Sequence, residues 1–233
     1  MVQLKICGNH CDQDMEVLQA YLEAIDYCGF IFTPQSRRQA KAERVARWMA
    51  AYPALRRKGV AVFMDQSLEE IAAILEITSL SHVQLHGEET PLFCQQLRQR
   101  LAINQLWKMV PVEREGKWDR LDELKERIAS YLPVVDVLLL DTKVARRAGG
   151  TGLSFDWSVL PPLRALIDDY NRLNGRHVKL FVAGGISATN VSQLLQKRVA
   201  DGVDLASGVE TDGCKDPIKL QAIIDGVKKG VAS

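Results

Sequence analysis

A cysteine and an aspartate stand at the ends of two apolar runs, and both residue types can move protons. The first run reads Leu4-Lys5-Ile6-Cys7-Gly8. Side chains alternate along a strand, so Lys5 and Cys7 share one face and are expected to point into the same interior. A thiol there is either a small buried hydrophobe or, beside a positive charge that favours its thiolate, a reactive group. The second run, Val134-Val135-Asp136-Val137-Leu138-Leu139-Leu140-Asp141, ends on a carboxylate. Asp141 either caps the following turn through Thr142 or Lys143, or serves as a general acid whose pKa burial raises.

Two further polar positions belong with this pair. Arg37 and Arg38 follow the turn Thr33-Pro34-Gln35-Ser36. Such an Arg pair is ordinarily a solvated surface, yet a carboxylate-bearing ligand needs a guanidinium fork of this kind. His86, in Gln84-Leu85-His86-Gly87-Glu88, is read either as a rim histidine that orients a loop or as a ligand contact.

Three glycine loops in the second half suggest what the ligand carries. They are Gly149-Gly150-Thr151-Gly152, Gly184-Gly185 followed by Ile186-Ser187-Ala188, and Ser207-Gly208. Glycine lets main-chain N–H groups approach an anion closely, and a helix N-terminus adds partial positive charge. A single loop of this kind need only turn the chain. Three in succession point to a phosphate cradle in which Gly150, Gly152, Gly184, Gly185, Ser207 and Gly208 are the expected contacts, with no Lys or Arg required.

The elements that must position these groups are legible as an alternation. Apolar or β-branched runs occur at residues 4–8, 27–32, 59–63, 82–87, 105–110, 134–141, 179–185 and 203–208. Between them, helical spacing covers 14–25, 39–51, 68–77, 91–101, 121–131, 158–171, 188–197 and 218–231. Thr90-Pro91 reads as an N-cap with a first-turn proline, and Ser187 with Thr189-Asn190 offers oxygens for orphan amides. No GxGxxG follows the first strand, and a count of eight favours closure. The expected fold is therefore α/β, a (β/α)₈ barrel in which residues 1–233 form a single domain. In such barrels the site lies at the carboxyl ends of the strands, where Cys7, Arg38, His86, Asp141, the glycine loops and Glu210 all fall.

Composition narrows the ligand. Thirty basic side chains nearly cancel twenty-nine acidic ones, and no dense Lys/Arg stretch stands out, so neither nucleic acid nor an anionic membrane is an expected partner. The first residues lack the apolar run of a signal peptide and no later stretch could span a bilayer, which makes the cytoplasm the expected location. The five cysteines are an odd number without a CxxC pair, and they read as free thiols. Cys7, His10 and Cys11 do not make a metal site, because no second ligand pair is evident.

Taken in order, Lys5-Ile6-Cys7-Gly8, Gly29-Phe30-Ile31-Phe32 with Ser36-Arg37-Arg38, Val83-Gln84-Leu85-His86-Gly87-Glu88, and Leu140-Asp141 resemble the signatures of the phosphoribosylanthranilate isomerases of tryptophan biosynthesis. The second half agrees: Gly149-Gly150-Thr151-Gly152 with Phe155-Asp156-Trp157, Ala183-Gly184-Gly185-Ile186 with Asn190-Val191, and Ser207-Gly208-Val209-Glu210 with Lys215-Asp216. The resemblance spans nearly the whole chain. Its clearest departure is Asn9-His10-Cys11 after Cys-Gly, although Asp14 falls where the family has its acidic residue.

The resemblance implies Cys7 as general base, Asp141 as general acid, and Arg38 as the fork for the anthranilate carboxylate. It implies a phosphorylated aminosugar as the small-molecule partner, an Amadori rearrangement without metal or organic cofactor, and a monomer or homodimer. Two rivals remain. Indole-glycerol-phosphate synthase also grips phosphate on late loops, but it uses lysine and glutamate where this rim offers cysteine and aspartate. A non-catalytic phosphometabolite sensor would keep the barrel and the cradle but has no need of Cys7 and Asp141 together. A turnover assay separates the sensor from the isomerase.

Overall fold

The computed structural model describes residues 2–113, 120–143 and 154–232. Eight parallel strands pair in chain order: β1 (Gln3–Cys7), β2 (Tyr27–Ile31), β3 (Gly59–Phe63), β4 (His82–Leu85), β5 (Gln105–Glu113), β6 (Val137–Lys143), β7 (Lys179–Val182) and β8 (Gly202–Leu205). β8 returns to β1 with Lys5 opposite Asp204 and Ile6 opposite Leu205, which closes the barrel. Around it run α1 (Asp12–Ala20), α2 (Ala42–Ala51), α3 (Pro53–Arg56), α4 (Leu68–Thr78), α5 (Pro91–Arg100), α6 (Leu121–Tyr131), α7 (Leu160–Asn174), α8 (Val191–Gln196) and α9 (Pro217–Ala232). Among the described residues no helix is long and apolar enough to cross a membrane.

Strand alternation splits the apolar residues into two cores. Leu4, Ile6, Leu138 and Leu140 face outward into the layer between strands and helices, whereas Cys7, Val62, Leu139 and Phe181 face the lumen. The lumen is filled rather than hollow. Tyr27 and Trp107 pack edge to face at 4.9 Å, and Trp107 meets Phe181 at 4.6 Å. Asp141 has the parity of Val137 and Leu139, so it emerges where this packed interior gives way to the mouth.

Several boundaries differ from the sequence reading, each for a local reason. The helix expected over residues 14–25 is α1 followed by a 3₁₀ turn at Leu22–Ala24. The helix expected from residue 39 starts at Ala42, because the Ala40 amide is taken by the Ile31 carbonyl at 2.8 Å. β6 begins at Val137 rather than 134, since the amides of Val134 and Val135 bond back to Tyr131 and finish the preceding helix, and it continues to Lys143. Strand pairing stops at Val182 and at Leu205, so residues 183–185 and 206–208 are loop and turn. Thr90 caps α5 as expected, through Phe93. Asn190 Oδ1 accepts the Ser187 amide at 2.9 Å as expected, and its Nδ2 donates to the Gly185 carbonyl, whereas the Ser187 and Thr189 hydroxyls bond to each other.

Besides the short helix α3, a hairpin was not anticipated. After β8 a two-stranded hairpin, β9 (Glu210–Thr211) and β10 (Cys214–Lys215), turns through Asp212 and Gly213, both at positive φ. The Asp-Gly dipeptide is the signal that marks it.

Candidate active site

A cavity of about 550 Å³ opens at the carboxyl ends of the strands, a size suited to a small-molecule ligand. Cys7, Arg38, His86, Asp141, Gly184, Gly185, Ser207 and Gly208 all line it. Gly150 and Gly152 lie outside the described residues. Arg37, the neighbour that competed with Arg38 in the sequence, is exposed and does not reach the cavity.

Cys7 ends β1 facing inward, as its register with Lys5 requires. Gly29 of β2 makes room for it, since a Cβ there would come within 2.6 Å of the sulfur. Burial pushes the thiol pKa up, and the charges of Lys5 and Lys215 only partly offset this. Lys5 has another commitment. Its Nζ, fully buried, pairs with Asp204 at 2.8 Å and lies over the Trp107 ring. Burial alone would lower the Lys5 pKa, but the charges of Asp204 and Cys7, with the hydrogen bonds to both, together outweigh it and raise it. The expectation that Lys5 favours the Cys7 thiolate therefore holds in sign and is outweighed in size: the resting group is a thiol.

Asp141 shows the shift that burial predicts. Its pKa is raised to about 6, first by burial and then by the charge of Asp204, with Thr142 and Lys5 opposing. His86 stands beside it, Nε2 facing the carboxylate at 3.6 Å, too far for a hydrogen bond. Gln84 Nε2 donates to His86 Nδ1 at 3.0 Å, which puts the ring proton on the nitrogen facing Asp141. Burial and the charges of Lys5 and Lys108 lower the His86 pKa to about 4, so the ring is neutral at neutral pH and brings no positive charge to depress Asp141.

Arg38 is held rather than free. Its Nε and Nη2 donate to Glu210 at 2.8 and 2.6 Å, and Lys215 Nζ donates to the same carboxylate at 2.7 Å and to the Cys7 carbonyl at 2.6 Å. Burial would raise the Glu210 pKa, but Arg38 and Lys215 outweigh it and hold it low. Glu210 thus fixes the plane of the guanidinium, and Lys215 joins that fixture to the end of β1.

Opposite lies a wall of bare backbone. Gly184 and Gly185 both take positive φ, +80° and +65°, which only glycine adopts without strain. A Cβ on Gly184 would also meet Thr142 Oγ1 at 2.3 Å and Asp141 Oδ1 at 2.7 Å. The loop therefore passes directly beside Asp141.

Three buried partners escaped the sequence reading: Asp204, Gln84 and Lys215. Asp204 and Gln84 carry a signal, being polar residues at inward parity in apolar strands. Lys215 stands in a family-like motif, but nothing local signals its partner, because it reaches Cys7 across 208 positions of chain.

Comparison with known proteins agrees with this geometry. The family model described as N-(5′-phosphoribosyl)anthranilate (PRA) isomerase matches residues 4–226. A relative of that name from Brevibacillus brevis is 38% identical over 228 residues, covering 98% of this chain and 94% of its own. The phosphoribosylanthranilate isomerase structure from Thermotoga maritima superposes with a TM-score of 0.79 at 29% identity, covering 98% of this chain and 99% of that one. A further structure, of that isomerase in complex with reduced 1-(o-carboxyphenylamino)-1-deoxyribulose 5-phosphate, has a TM-score of 0.76 at 28% identity, with the same coverage. Fold, strand-end chemistry and full-length identity converge, and the chain belongs to the phosphoribosylanthranilate isomerase family, enzymes of tryptophan biosynthesis that interconvert aldose and ketose forms.

Proposed function

We propose that Cys7 and Asp141 are the base and acid of this isomerisation, and that N-(5′-phosphoribosyl)anthranilate lies between Arg38 and the glycine loops. The observation that carries the reading is the joint placement in one cavity of an inward thiol, a carboxyl with its pKa raised to about 6, and a wall of positive-φ glycines. Asp141 gives its proton to the furanose oxygen as the C1′–O bond breaks and the nitrogen lone pair forms the Schiff base. The Cys7 thiolate then takes the C2′ proton, the C–H pair becomes the C1′–C2′ double bond of an enolamine, and this tautomerises to the ketone. Each group ends the cycle in the protonation state that its surroundings favour at rest.

Arg38 offers the remaining Nη1 edge to the anthranilate carboxylate, while Glu210 holds its other edge. The backbone N–H groups of Gly185, Ser207 and Gly208 are the described part of the phosphate cradle, with Gly150 and Gly152 proposed to complete it. Against the synthase rival, no lysine or glutamate lines the cavity among the described residues. The relative solved with a reduced carboxyphenylamino-deoxyribulose phosphate holds a ligand with both the carboxylate and the phosphate that this cavity is proposed to grip. A phosphate ester does not cross a bilayer unaided, which supports placing the enzyme in the cytoplasm where the ester is made. The test is turnover: purified protein should consume N-(5′-phosphoribosyl)anthranilate, and Cys7→Ser should lower kcat by about 10²-fold or more with binding retained. A chain that binds the compound without converting it would support the sensor instead.

A further inference from the structure

Two thiols that the isomerisation does not use meet beside the base. Cys11 precedes the first turn of α1 and Cys214 opens β10, 203 positions later, yet their Sγ atoms lie 3.0 Å apart. Both are free and partly exposed. Non-bonded heavy atoms ordinarily rest roughly 3.5–4.0 Å apart, so the sulfurs are pressed together. The backbone on each side shows why they stay so. The buried carboxylate of Asp14 accepts from the amides of His10 and Cys11 through Oδ2, at 2.8 and 3.1 Å, and from the Lys215 amide through Oδ1, at 2.7 Å. The two segments that carry the sulfurs therefore hang from one rigid group.

We infer that Cys11 and Cys214 are a redox-active pair that closes to a disulfide and staples the loop after β1 to the hairpin after β8. A thiophilic cation is the competing occupant, because Asp14 also lies within 4.8 Å of both sulfurs. Two features disfavour it. Asp14 already accepts three amide protons, and two thiolates on one tetrahedral zinc, each about 2.3 Å from the metal, would stand roughly 3.8 Å apart. The sulfurs are nearer to bonding distance than that.

The chemistry is thiol–disulfide exchange with a low-molecular-weight disulfide. Cys11 donates its S–H toward Cys214 and so keeps its own proton engaged, which leaves Cys214 as the attacking sulfur. The Cys214 thiolate displaces one small thiol and forms a mixed disulfide. Cys11 then gives up its proton, and its sulfur displaces the second. Two protein thiols are oxidised and one small disulfide is reduced to two thiols; a reducing thiol pool runs the exchange backward. Lys215, next to Cys214, holds the Cys7 carbonyl and Glu210, so the staple fastens a support of the site without touching a reacting atom.

The purified full chain, treated with oxidised glutathione, tests this. Free thiols after denaturation should fall from five to three, peptide mapping should join Cys11 to Cys214, and a dithiol reductant should reverse both. Because the cross-link closes almost the whole chain, Tm should rise by about 5 °C or more. Turnover should stay within about twofold. Cys11→Ser and Cys214→Ser should each fold as before, form no bridge and lose the Tm response. An unchanged thiol count would overturn the proposal. So would a bridge that includes Cys7, a stable glutathione adduct in place of the bridge, or stoichiometric binding of zinc alone that blocks oxidation.

Discussion

Replacing Asp141 with Asn should change the shape of the pH profile as well as the rate. In the proposed assignment the active pair is thiolate plus carboxylic acid, and the resting pair is thiol plus carboxylate; both hold one proton and differ only in where it sits. With ordinary values of about 3.9 and 8.5, the active arrangement is roughly 3 × 10⁻⁵ of the singly protonated form. Raising Asp141 to about 6 lifts that by about 100-fold, to roughly 3 × 10⁻³, and the upward shift of Cys7 returns part of the gain. kcat/KM should therefore climb to a plateau with an acid limb near pH 6, below which both groups are protonated and no base remains. It should fall again above the Cys7 pKa, where both are ionised and no acid remains. In Asp141→Asn only the thiolate fraction matters. The rate at pH 7 should drop by about 10²–10⁴-fold, and what remains should increase about tenfold per pH unit from 6 to 8, with no limb near 6. Initial rates of substrate loss at fixed ionic strength measure this. A variant that kept the plateau and the limb near 6 would refute the assignment and place that titration on the substrate phosphate, whose second pKa lies near 6.

Three other outcomes follow from the contacts. Lys5→Met leaves the Asp204 carboxylate buried without its partner and should cost about 3–5 kcal/mol in thermal or urea unfolding, with most of it regained in Lys5→Met/Asp204→Asn. A loss under about 1 kcal/mol in the single variant would show that the pair is not electrostatically isolated. Gly185→Ala places a side chain at φ +65° in the proposed cradle and should raise KM by about tenfold or more with circular dichroism unchanged; an unaltered KM would remove the loop from phosphate binding. Arg38→Met should raise KM more than it lowers kcat, whereas Arg37→Met, at an exposed position, should leave both within about twofold, and the reverse ranking would exchange the two arginines.

The proton arrangement also explains why the surroundings of the pair are so ionic. An acid raised by burial and a thiol raised by burial have opposite effects on the active population, so burial by itself gains little. Charge adds an asymmetry: at Cys7 Lys5 and Lys215 act against the rise and Asp204 adds to it, whereas at Asp141 the charge of Asp204 adds to the rise and Lys5 alone among the charges opposes it. The pairing of Lys5 with Asp204 limits that opposition.

Eight alternating units, the inward parity of Lys5 with Cys7, and the termination of an apolar strand on Asp141 were all legible in the chain, because periods of 2 and 3.6 and strand-end position are local properties. The same locality put Arg38 and the Gly184-Gly185 loop at the rim. What the chain could not display were pairings that exist only after closure. Lys5 meets Asp204 across 199 positions, Arg38 meets Glu210 across 172, and Cys11 meets Cys214 across 203. Each of these joins the first or second strand unit to the last, and each alters the chemistry: Lys5 is shared between Cys7 and Asp204, Arg38 is fixed in plane, and two thiols read as free stand in contact. The physical reason is that a barrel returns its eighth strand to its first, so the neighbours that set charge and pKa at β1 lie at the far end of the sequence, where no periodicity reports them.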